Sequence, residues 1–159
     1  MKHQRGAAAL EFAFLLVPLL AITFGITEFG RAMYYYDTLA KAVRDASRLM
    51  STQTPSDPNY AALIAAATCT AVHGNSACTG NPLVPGLTAA MVSFCDRASC
   101  PATHAGVATG SGVVNLVTVT IGGAINPYQF NSLAPFLPAG FGVASFSFTP
   151  IAVTMRQIL

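Results

Sequence analysis

The residues of this chain that could do chemistry are few, and four of them are cysteines. Cys69, Cys78, Cys95 and Cys100 lie in the later part of the 159-residue sequence, as two pairs of near neighbours. An even number of cysteines predicts disulfide bonds if this part of the chain lies outside the cytosol. Two local bridges, Cys69 to Cys78 and Cys95 to Cys100, are one possibility. Four cysteines allow three connectivities, however, and the spacing does not choose between them.

Two histidines follow these cysteines closely and raise the question of a metal site. The spacings are Cys69-x3-His73 and Cys95-x4-Cys100-x3-His104. Cysteine and histidine are the usual zinc ligands, but these spacings match no standard structural zinc site well. We therefore expect disulfides, with no metal and no cofactor.

The sequence lacks the residue combinations that catalysis usually requires. Gly110-Ser111-Gly112 does not have the spacing of a nucleophile elbow. Asp96 is the only acidic residue after Asp57, so a carboxylate pair for general acid–base chemistry is missing from the distal sequence. We expect the protein not to be an enzyme and to have no small-molecule substrate.

The composition is that of a membrane-anchored chain rather than an ordinary cytosolic protein. Hydrophobic residues make up 53% of the sequence and charged residues 9%, whereas an average soluble domain is about 25% charged. Eleven of the fourteen charged residues lie between Lys2 and Asp57. The net charge of +2 is not arranged as a basic patch with interleaved aromatic residues, which argues against nucleic acid as a partner. The length suits one domain and an anchor.

One apolar segment, from Ala7 to Phe29, is long enough to span a bilayer. As a helix its 23 residues would extend roughly 35 Å. The basic residues that precede it favour a cytoplasmic N-terminus. Glu11 lies inside the apolar run, and no small-residue cleavage site with a following turn ends it, which argues against an ordinary secretory signal peptide.

The helical pattern continues past Phe29 without interruption. We predict one helix from about Ala7 to about Met50, with an apolar stripe whose positions recur at steps of three and four. The stripe comprises Met33, Tyr36, Ala40, Val43, Ser47 and Met50. Prolines at 55 and 58 then predict the end of the helix.

The rest of the chain predicts a small α+β head. We expect a short helix at 58–72 and two strands, 113–121 and 143–155, which are rich in β-branched and aromatic residues and would pair antiparallel. Residues 73–111 are expected to be mostly loop, with 87–95 regular enough for a strand or a short helix. The apolar stretch 127–141, with three prolines, is expected to be an exposed or partner-facing loop.

The N-terminal sequence, RGAAALEFAFLLVPLLAITFGITEFGRAMYYYDTLAKAVRDASR, resembles that of TadE-like proteins of tight-adherence pilus systems. The shared features are the basic leader, the glycine, the early glutamate, the EFGR sequence, the tyrosines and the AVRDASR-like continuation. This resemblance implies a pseudopilin or minor pilin in type IV-related pilus assembly. It further implies a bacterial inner-membrane location with the N-terminus in the cytoplasm and the head outside it. Whether the chain also enters the pilus is left open.

The resemblance also implies the division of the chain and the residues that are processed. A leader, 1–6, would be removed by a prepilin peptidase between Gly6 and Ala7, in the signal that runs through Glu11 and Phe12. The transmembrane segment would be 7–29, its extension 30–52, and the disulfide-containing head 56–159. The implied partners are the membrane, the peptidase, other pilins and pseudopilins, and the pilus assembly platform.

Two glutamates in the long helix are candidates for contacts in assembly. A carboxylate in mid-bilayer costs about 2.5–3.5 kcal/mol, so Glu11 should need a partner unless it lies near the headgroups. In the pilin-like interpretation that partner is the new α-amine of Ala7. Glu28 and Arg31, three residues apart, could form a simple helix ion pair or a helix-interface pair that docks another subunit. The alternative function is a permanently anchored extracytoplasmic binding or adhesion protein without a pilus role.

Overall fold

The computed structural model describes residues 4–110, 112–133 and 145–158, and these residues have the expected α+β composition. The helices are α1 (Gln4–Ser51), α2 (Tyr60–His73) and α3 (Pro101–His104), with a short 3-10 turn at Ala89–Met91. The strands are β1 (Val92–Cys95), β2 (Val107–Thr109), β3 (Gly112–Ile121), β4 (Gln129–Phe130), β5 (Phe146–Ser147) and β6 (Ile151–Gln157). The described residues form two compact units. The first unit lies within residues 1–34 and 130–146, and the second within residues 35–129 and 147–159.

Helix α1 runs without a break through the apolar segment and beyond it. It continues through Pro18, which lies inside it, as the sequence predicted for a single long element. Arg48 in its last turn is placed favourably for the negative end of the helix macrodipole. The helix stops at Ser51, shortly before Pro55, because proline and its preceding residue do not continue a helix.

The head sheet is built around β3. Antiparallel β6 pairs with residues 115–121 of β3 and β1 pairs with residues 118–121, in the registers Val153↔Val119 and Phe94↔Val119. Strand β2 pairs with the first three residues of β3. Odd-numbered residues of β3 from 115 to 121 are buried and the even-numbered ones are half-buried, which is the period-two pattern expected of a strand. Strands β4 and β5 form a separate two-stranded sheet.

The core of the second unit lies between this sheet and the two longer helices. Fully buried side chains from α1, α2 and the sheet meet there, with aromatic support from Tyr128. They include Leu39, Val43, Ala46, Ala71, Val72, Val84, Leu87, Val119 and Ile121. A smaller cluster joins Met50, Ala67 and Val117. The C-terminal part of α1 is therefore a core helix of the head.

The predicted apolar stripe on α1 is confirmed only in its later half. Val43, Ser47 and Met50 are fully buried, whereas Met33 and Tyr36 are 53% and 41% exposed. The continuous buried face runs through Leu39, which the stripe did not include. Periodicity predicted the helix but could not show where along it the head packs.

The predicted strand 143–155 is two strands. Pro150 lies between β5 and β6, and proline cannot donate a ladder hydrogen bond inside a strand. Residues 143 and 144 lie outside the described residues. The strand predicted at 113–121 is confirmed as β3, and the helix predicted at 58–72 as α2.

Two other expectations were partly wrong. The region 73–111, expected to be mostly loop, also contains α3 and β2. The stretch 127–141 was expected to be exposed, but Tyr128 is 2% exposed and Phe130 is fully buried. Aromatic side chains bury a large apolar area when they pack inside a protein. Tyr128 and Phe130 therefore contribute to buried packing and not to an exposed surface. Residues 134–141 of that stretch lie outside the described residues.

Gly122 makes the turn after β3 possible. Its φ of +75° lies in the left-handed region, and a Cβ atom there would be 3.1 Å from the Tyr128 backbone nitrogen. A residue with a side chain would meet both backbone strain and a close contact.

Candidate functional site

The apolar part of α1 has no buried residue from Ala8 to Thr27. It is long and apolar enough to cross a membrane, and the most apolar window of its described residues is entirely unburied. Its large side chains are each more than a third exposed, including Phe12, Phe14, Leu15, Val17, Leu19, Ile22 and Ile26. An exposed apolar surface of this size is typical of a segment that meets a membrane or another protein.

Glu11 is the acidic residue in the first part of this surface. It is exposed on α1 and forms no ion pair within the part of the chain that the structure describes. Gly6 and Ala7 lie in the first turns of the same helix. The carboxylate is thus available on the apolar helix surface for a partner outside the chain.

Glu28 and Arg31 do form the ion pair that their spacing predicts, and they do more than that. Arg31 Nη2 donates to Glu28 Oε2 at 2.7 Å and to the Asn131 carbonyl oxygen at 2.6 Å. The Leu133 backbone N–H donates to the same Glu28 oxygen at 3.3 Å. The pair therefore binds the backbone of a segment about a hundred residues further along the chain.

The surroundings of this ion pair strengthen it. The side chains of Glu28 and Arg31 are 10% and 21% exposed, and the guanidinium carbon lies 4.8 Å from the centre of the buried Phe130 ring. Screening by water and salt is weaker in such a place than at an open surface. Docking of another subunit through this pair, one of the predicted roles, would have to share side chains that already bind the chain itself.

The cysteines are paired as the two local disulfides. Cys69 on α2 is bonded to Cys78, and Cys95 at the end of β1 is bonded to Cys100 just before α3. Each bridge closes a short loop, so each staples local structure rather than joining distant elements. The structure therefore selects one of the three connectivities that the sequence left open.

His104 lies against the second disulfide. Its Nδ1 atom is 3.4 Å from Cys95 Sγ, and the ligand atoms of Cys95, Cys100 and His104 all lie within 4.8 Å of one another. Its Nε2 atom is 2.7 Å from Thr118 Oγ1, and that hydroxyl is 2.7 Å from Thr154 Oγ1. His73, beside the first disulfide, instead has Nδ1 at 3.0 Å from the Gly80 carbonyl oxygen.

A buried polar network holds the turn that carries the second disulfide. Tyr60 Oη on α2 donates to Asp96 Oδ2 at 2.5 Å, and Gln157 Nε2 on β6 donates to Tyr60 Oη at 3.1 Å. Asp96 Oδ1 accepts from the backbone N–H groups of Ala98 and Ser99 at 2.9 and 2.8 Å. Asp96 is 3% exposed and Gln157 is 1% exposed, so three elements meet at buried polar groups.

The network raises the pKa of the Tyr60 hydroxyl and lowers the pKa of the Asp96 carboxyl. Burial, together with the hydrogen bond to Asp96, raises the pKa of the Tyr60 hydroxyl to about 12. Burial acts to raise the pKa of the Asp96 carboxyl, but the hydrogen bonds from Tyr60, Ser99 and Ala98 outweigh it, so that this pKa lies below its usual value. Asp96 therefore stays ionised and Tyr60 neutral across the ordinary pH range.

Sequence reasoning did not identify this network. The available signal was Asp96 itself, the only carboxylate of a charge-poor distal region, where an unpaired buried charge would be costly. The other two members, Tyr60 and Gln157, are separated by 97 positions in the sequence, and no local pattern relates them.

The comparison with known proteins bears on the long helix. No curated protein and no solved structure matches the chain significantly. The TadE-like protein family matches residues 6–48, which lie within α1 and include Glu11, Glu28 and Arg31. This match confirms the resemblance of the N-terminal helix to TadE-like proteins.

Proposed function

We propose that this chain is a pseudopilin or minor pilin of tight-adherence pilus assembly and acts by helix insertion and subunit contacts. The observation that carries the proposal is the spacing from Gly6 to Glu11 at the start of a helix that has no buried residue in its most apolar, membrane-length window. The TadE-like match over the same residues supports it.

In this proposal, the spacing from Gly6 to Glu11 matters because cleavage after Gly6 creates a charged group near Glu11. Cleavage after Gly6 by a prepilin peptidase would create a new α-amine on Ala7 and leave Glu11 as the fifth residue of the mature chain. An α-amine is positively charged at neutral pH, because its pKa is near 7.7–8.0. It would offset the cost of a carboxylate on an apolar helix, on the same subunit or a neighbouring one.

In this proposal, the exposed apolar side chains of α1 contact lipid before assembly and other helices during assembly. Before assembly it is stored in the bacterial inner membrane, with the leader in the cytoplasm and the head outside. During assembly the same apolar side chains pack against the helices of other pilins and pseudopilins at the assembly platform. The Glu11–amine pair would align these helices, because an unpaired charge would be left wherever the register was wrong.

Processing is tested by expressing the chain in membranes with and without a prepilin peptidase and measuring its intact mass. We expect the peptidase to remove the six residues Met1–Gly6. The variant Gly6→Leu should remain uncut, whereas Gly25→Leu, a matched change on the same helix at a position with open space, should be cut as usual. A chain that begins at Met1 under every condition would contradict the proposal and favour a permanently anchored binding or adhesion protein.

Assembly is tested separately with Glu11→Gln. This variant should insert and be cut, because the glutamine side chain is neutral and similar in size. We expect it to reduce piliation strongly, measured by recovery of sheared pili, since the amine of Ala7 would then have no charged partner. Normal pilus yield from a fully processed Glu11→Gln protein would show that Glu11 has no role in assembly.

A further inference from the structure

We propose that the reduced form of the Cys95–Cys100 pair, together with His104, binds one Zn²⁺ ion. The disulfide and the metal site are then alternative states of the same three residues. The proposal concerns the head and does not depend on whether the long helix is processed or assembled.

The positions of the ligand atoms fit zinc once the disulfide is open. Zinc binds thiolate sulfur at about 2.3 Å and imidazole nitrogen at about 2.0–2.1 Å, so the two atoms lie roughly 3.5 Å apart in tetrahedral geometry. Cys95 Sγ and His104 Nδ1 are 3.4 Å apart. Cys100 Sγ lies within 4.8 Å of both of these atoms. The two sulfurs are bonded to each other and are therefore too close for zinc, and reduction removes that constraint.

The backbone of the site is held by bonds that do not need the disulfide. The Cys100 N–H donates to the Asp96 carbonyl oxygen at 2.8 Å, and the His104 N–H donates to the Cys100 carbonyl oxygen at 3.0 Å. The Asp96 carboxylate fixes the turn between the cysteines through Ser99 and Ala98. The three ligands are therefore preorganised in the reduced chain as well.

The second nitrogen of His104 also has a hydrogen-bond partner, as the second nitrogen of a metal-bound histidine usually does. Its Nε2 atom lies 2.7 Å from Thr118 Oγ1, so the tautomer protonated at Nε2 donates there and leaves the Nδ1 lone pair facing the sulfurs. Thr103 Oγ1, now 2.7 Å from Nδ1, can donate to the Cys100 carbonyl oxygen at 3.4 Å instead. All three ligand residues are half-buried, so water can reach the site and would be the fourth ligand of the zinc ion.

The other disulfide provides an internal comparison. His73 follows Cys69 at the same spacing as His104 follows Cys100, but its Nδ1 atom faces the Gly80 carbonyl oxygen at 3.0 Å. That nitrogen must carry a proton to make this bond, so only Nε2 of His73 keeps a lone pair. Among the described residues, Cys69, Cys78 and His73 do not form a cluster close enough to hold a metal ion. The proposal therefore applies to one disulfide and not to the other.

The redox step requires a two-electron reductant: a dithiol in the route described here, or a phosphine, which leaves as its oxide with oxygen from water, in the test below. A thiolate of the dithiol attacks the Cys95–Cys100 bond, and its second thiol resolves the mixed disulfide, so that the reductant leaves as a disulfide and two electrons and two protons reach the protein. Zn²⁺ then displaces the two thiol protons and forms a neutral complex with the two thiolates and the imidazole. An uncharged complex suits a head that has few other charges.

The test uses the full chain in detergent, reduced with a phosphine, and titrated with Co²⁺ as a spectroscopic probe and then with Zn²⁺. We expect one equivalent of Co²⁺ with thiolate charge-transfer absorption and tetrahedral d–d bands, displaced by Zn²⁺, and no such bands for the oxidised chain. The same result is expected for the double variant Cys69→Ser with Cys78→Ser, which removes the other thiols.

Variants of the site decide between specific binding and adventitious thiol binding. Cys100→Ser should abolish the charge-transfer bands, and His104→Ala should weaken binding by more than the roughly 10- to 100-fold that loss of an outer-shell partner costs. Thr118→Val, which removes the hydrogen-bond partner of His104 Nε2, should weaken Co²⁺ binding by roughly 10- to 100-fold. His73→Ala should bind like the unmodified chain. Circular dichroism of each variant checks its fold.

Three results would overturn the proposal. One is a reduced chain that binds no Co²⁺, whether it remains folded or unfolds on reduction. Another is binding that survives in Cys100→Ser. The third is a folded His104→Ala variant with unchanged affinity and unchanged d–d bands, because the imidazole would then not be a ligand.

Discussion

Removal of the Tyr60 hydroxyl tests whether the buried polar contact among α2, the end of β1 and β6 stabilises the head. In Tyr60→Phe the ring stays in place, and two hydrogen bonds are lost, one to the Asp96 carboxylate at 2.5 Å and one from Gln157 Nε2 at 3.1 Å. Asp96 keeps the bonds from Ser99 and Ala98, so the carboxylate is not left without a partner.

The expected cost follows from the burial of these groups. A hydrogen bond to a charged group contributes about 1.5–3 kcal/mol, and leaving a buried donor unsatisfied costs about 1–3 kcal/mol. Gln157 is 1% exposed, so its amide would lose its bond to Tyr60 without ready access to water. Allowing for partial relaxation, we expect about 2–4 kcal/mol in the free energy of unfolding. For a domain of about 100 residues this lowers Tm by at least about 8 °C.

The assay is thermal unfolding of the full chain in detergent, followed by near-ultraviolet circular dichroism, which reports packing of the head aromatics. Tyr36→Phe is the matched control. The Tyr36 ring is 41% exposed and contacts Phe148, and its hydroxyl makes no hydrogen bond with any residue in the described ranges. If the two variants have equal Tm values, the Tyr60 network does not stabilise the head and the reasoning is refuted.

Three further predictions concern ionisation, the helix ion pair and the turn after β3. Because the pKa of Tyr60 is about 12 in the fold and near 10 when unfolded, its contribution is complete below pH 10 and is lost as pH rises toward 12. The difference in Tm between the unmodified chain and Tyr60→Phe should shrink over that interval. Glu28→Gln should speed amide hydrogen exchange at Leu133, whose N–H donates to the Glu28 carboxylate. Gly122→Ala should cost about 1–3 kcal/mol, measured by thermal unfolding, because φ there is +75°.

Matched controls exist for the last two. Asp37→Asn removes an exposed i,i+4 ion pair with Lys41 and should leave exchange at Leu133 unchanged. Gly123→Ala places a methyl group in open space on the neighbouring residue and should have little effect on Tm. If Glu28→Gln and Asp37→Asn behave alike, the Glu28 contact with the distal backbone is not formed. If the two glycine variants behave alike, the left-handed turn is not required.

Local sequence patterns were sufficient to predict the long helix and its TadE-like character. Apolar residues, a 3.6-residue pattern and terminating prolines are short-range signals, and α1 is one unbroken helix from Gln4 to Ser51, as they predict. The same kinds of signal predicted α2 and β3, because their patterns are complete within a few residues. The TadE-like features also lie in contiguous sequence, so the order of residues alone is enough to recognise them.

The residues of the head that act together are set by the fold and not by any local pattern. Tyr60 on α2 is hydrogen-bonded to Asp96, 36 positions later in the sequence, and to Gln157 on β6, 97 positions later. The Glu28–Arg31 pair has the spacing of a local helix contact, yet its backbone partners lie about a hundred positions away. Such contacts form when the chain folds over long sequence separations, and short-range patterns of residue type do not encode them.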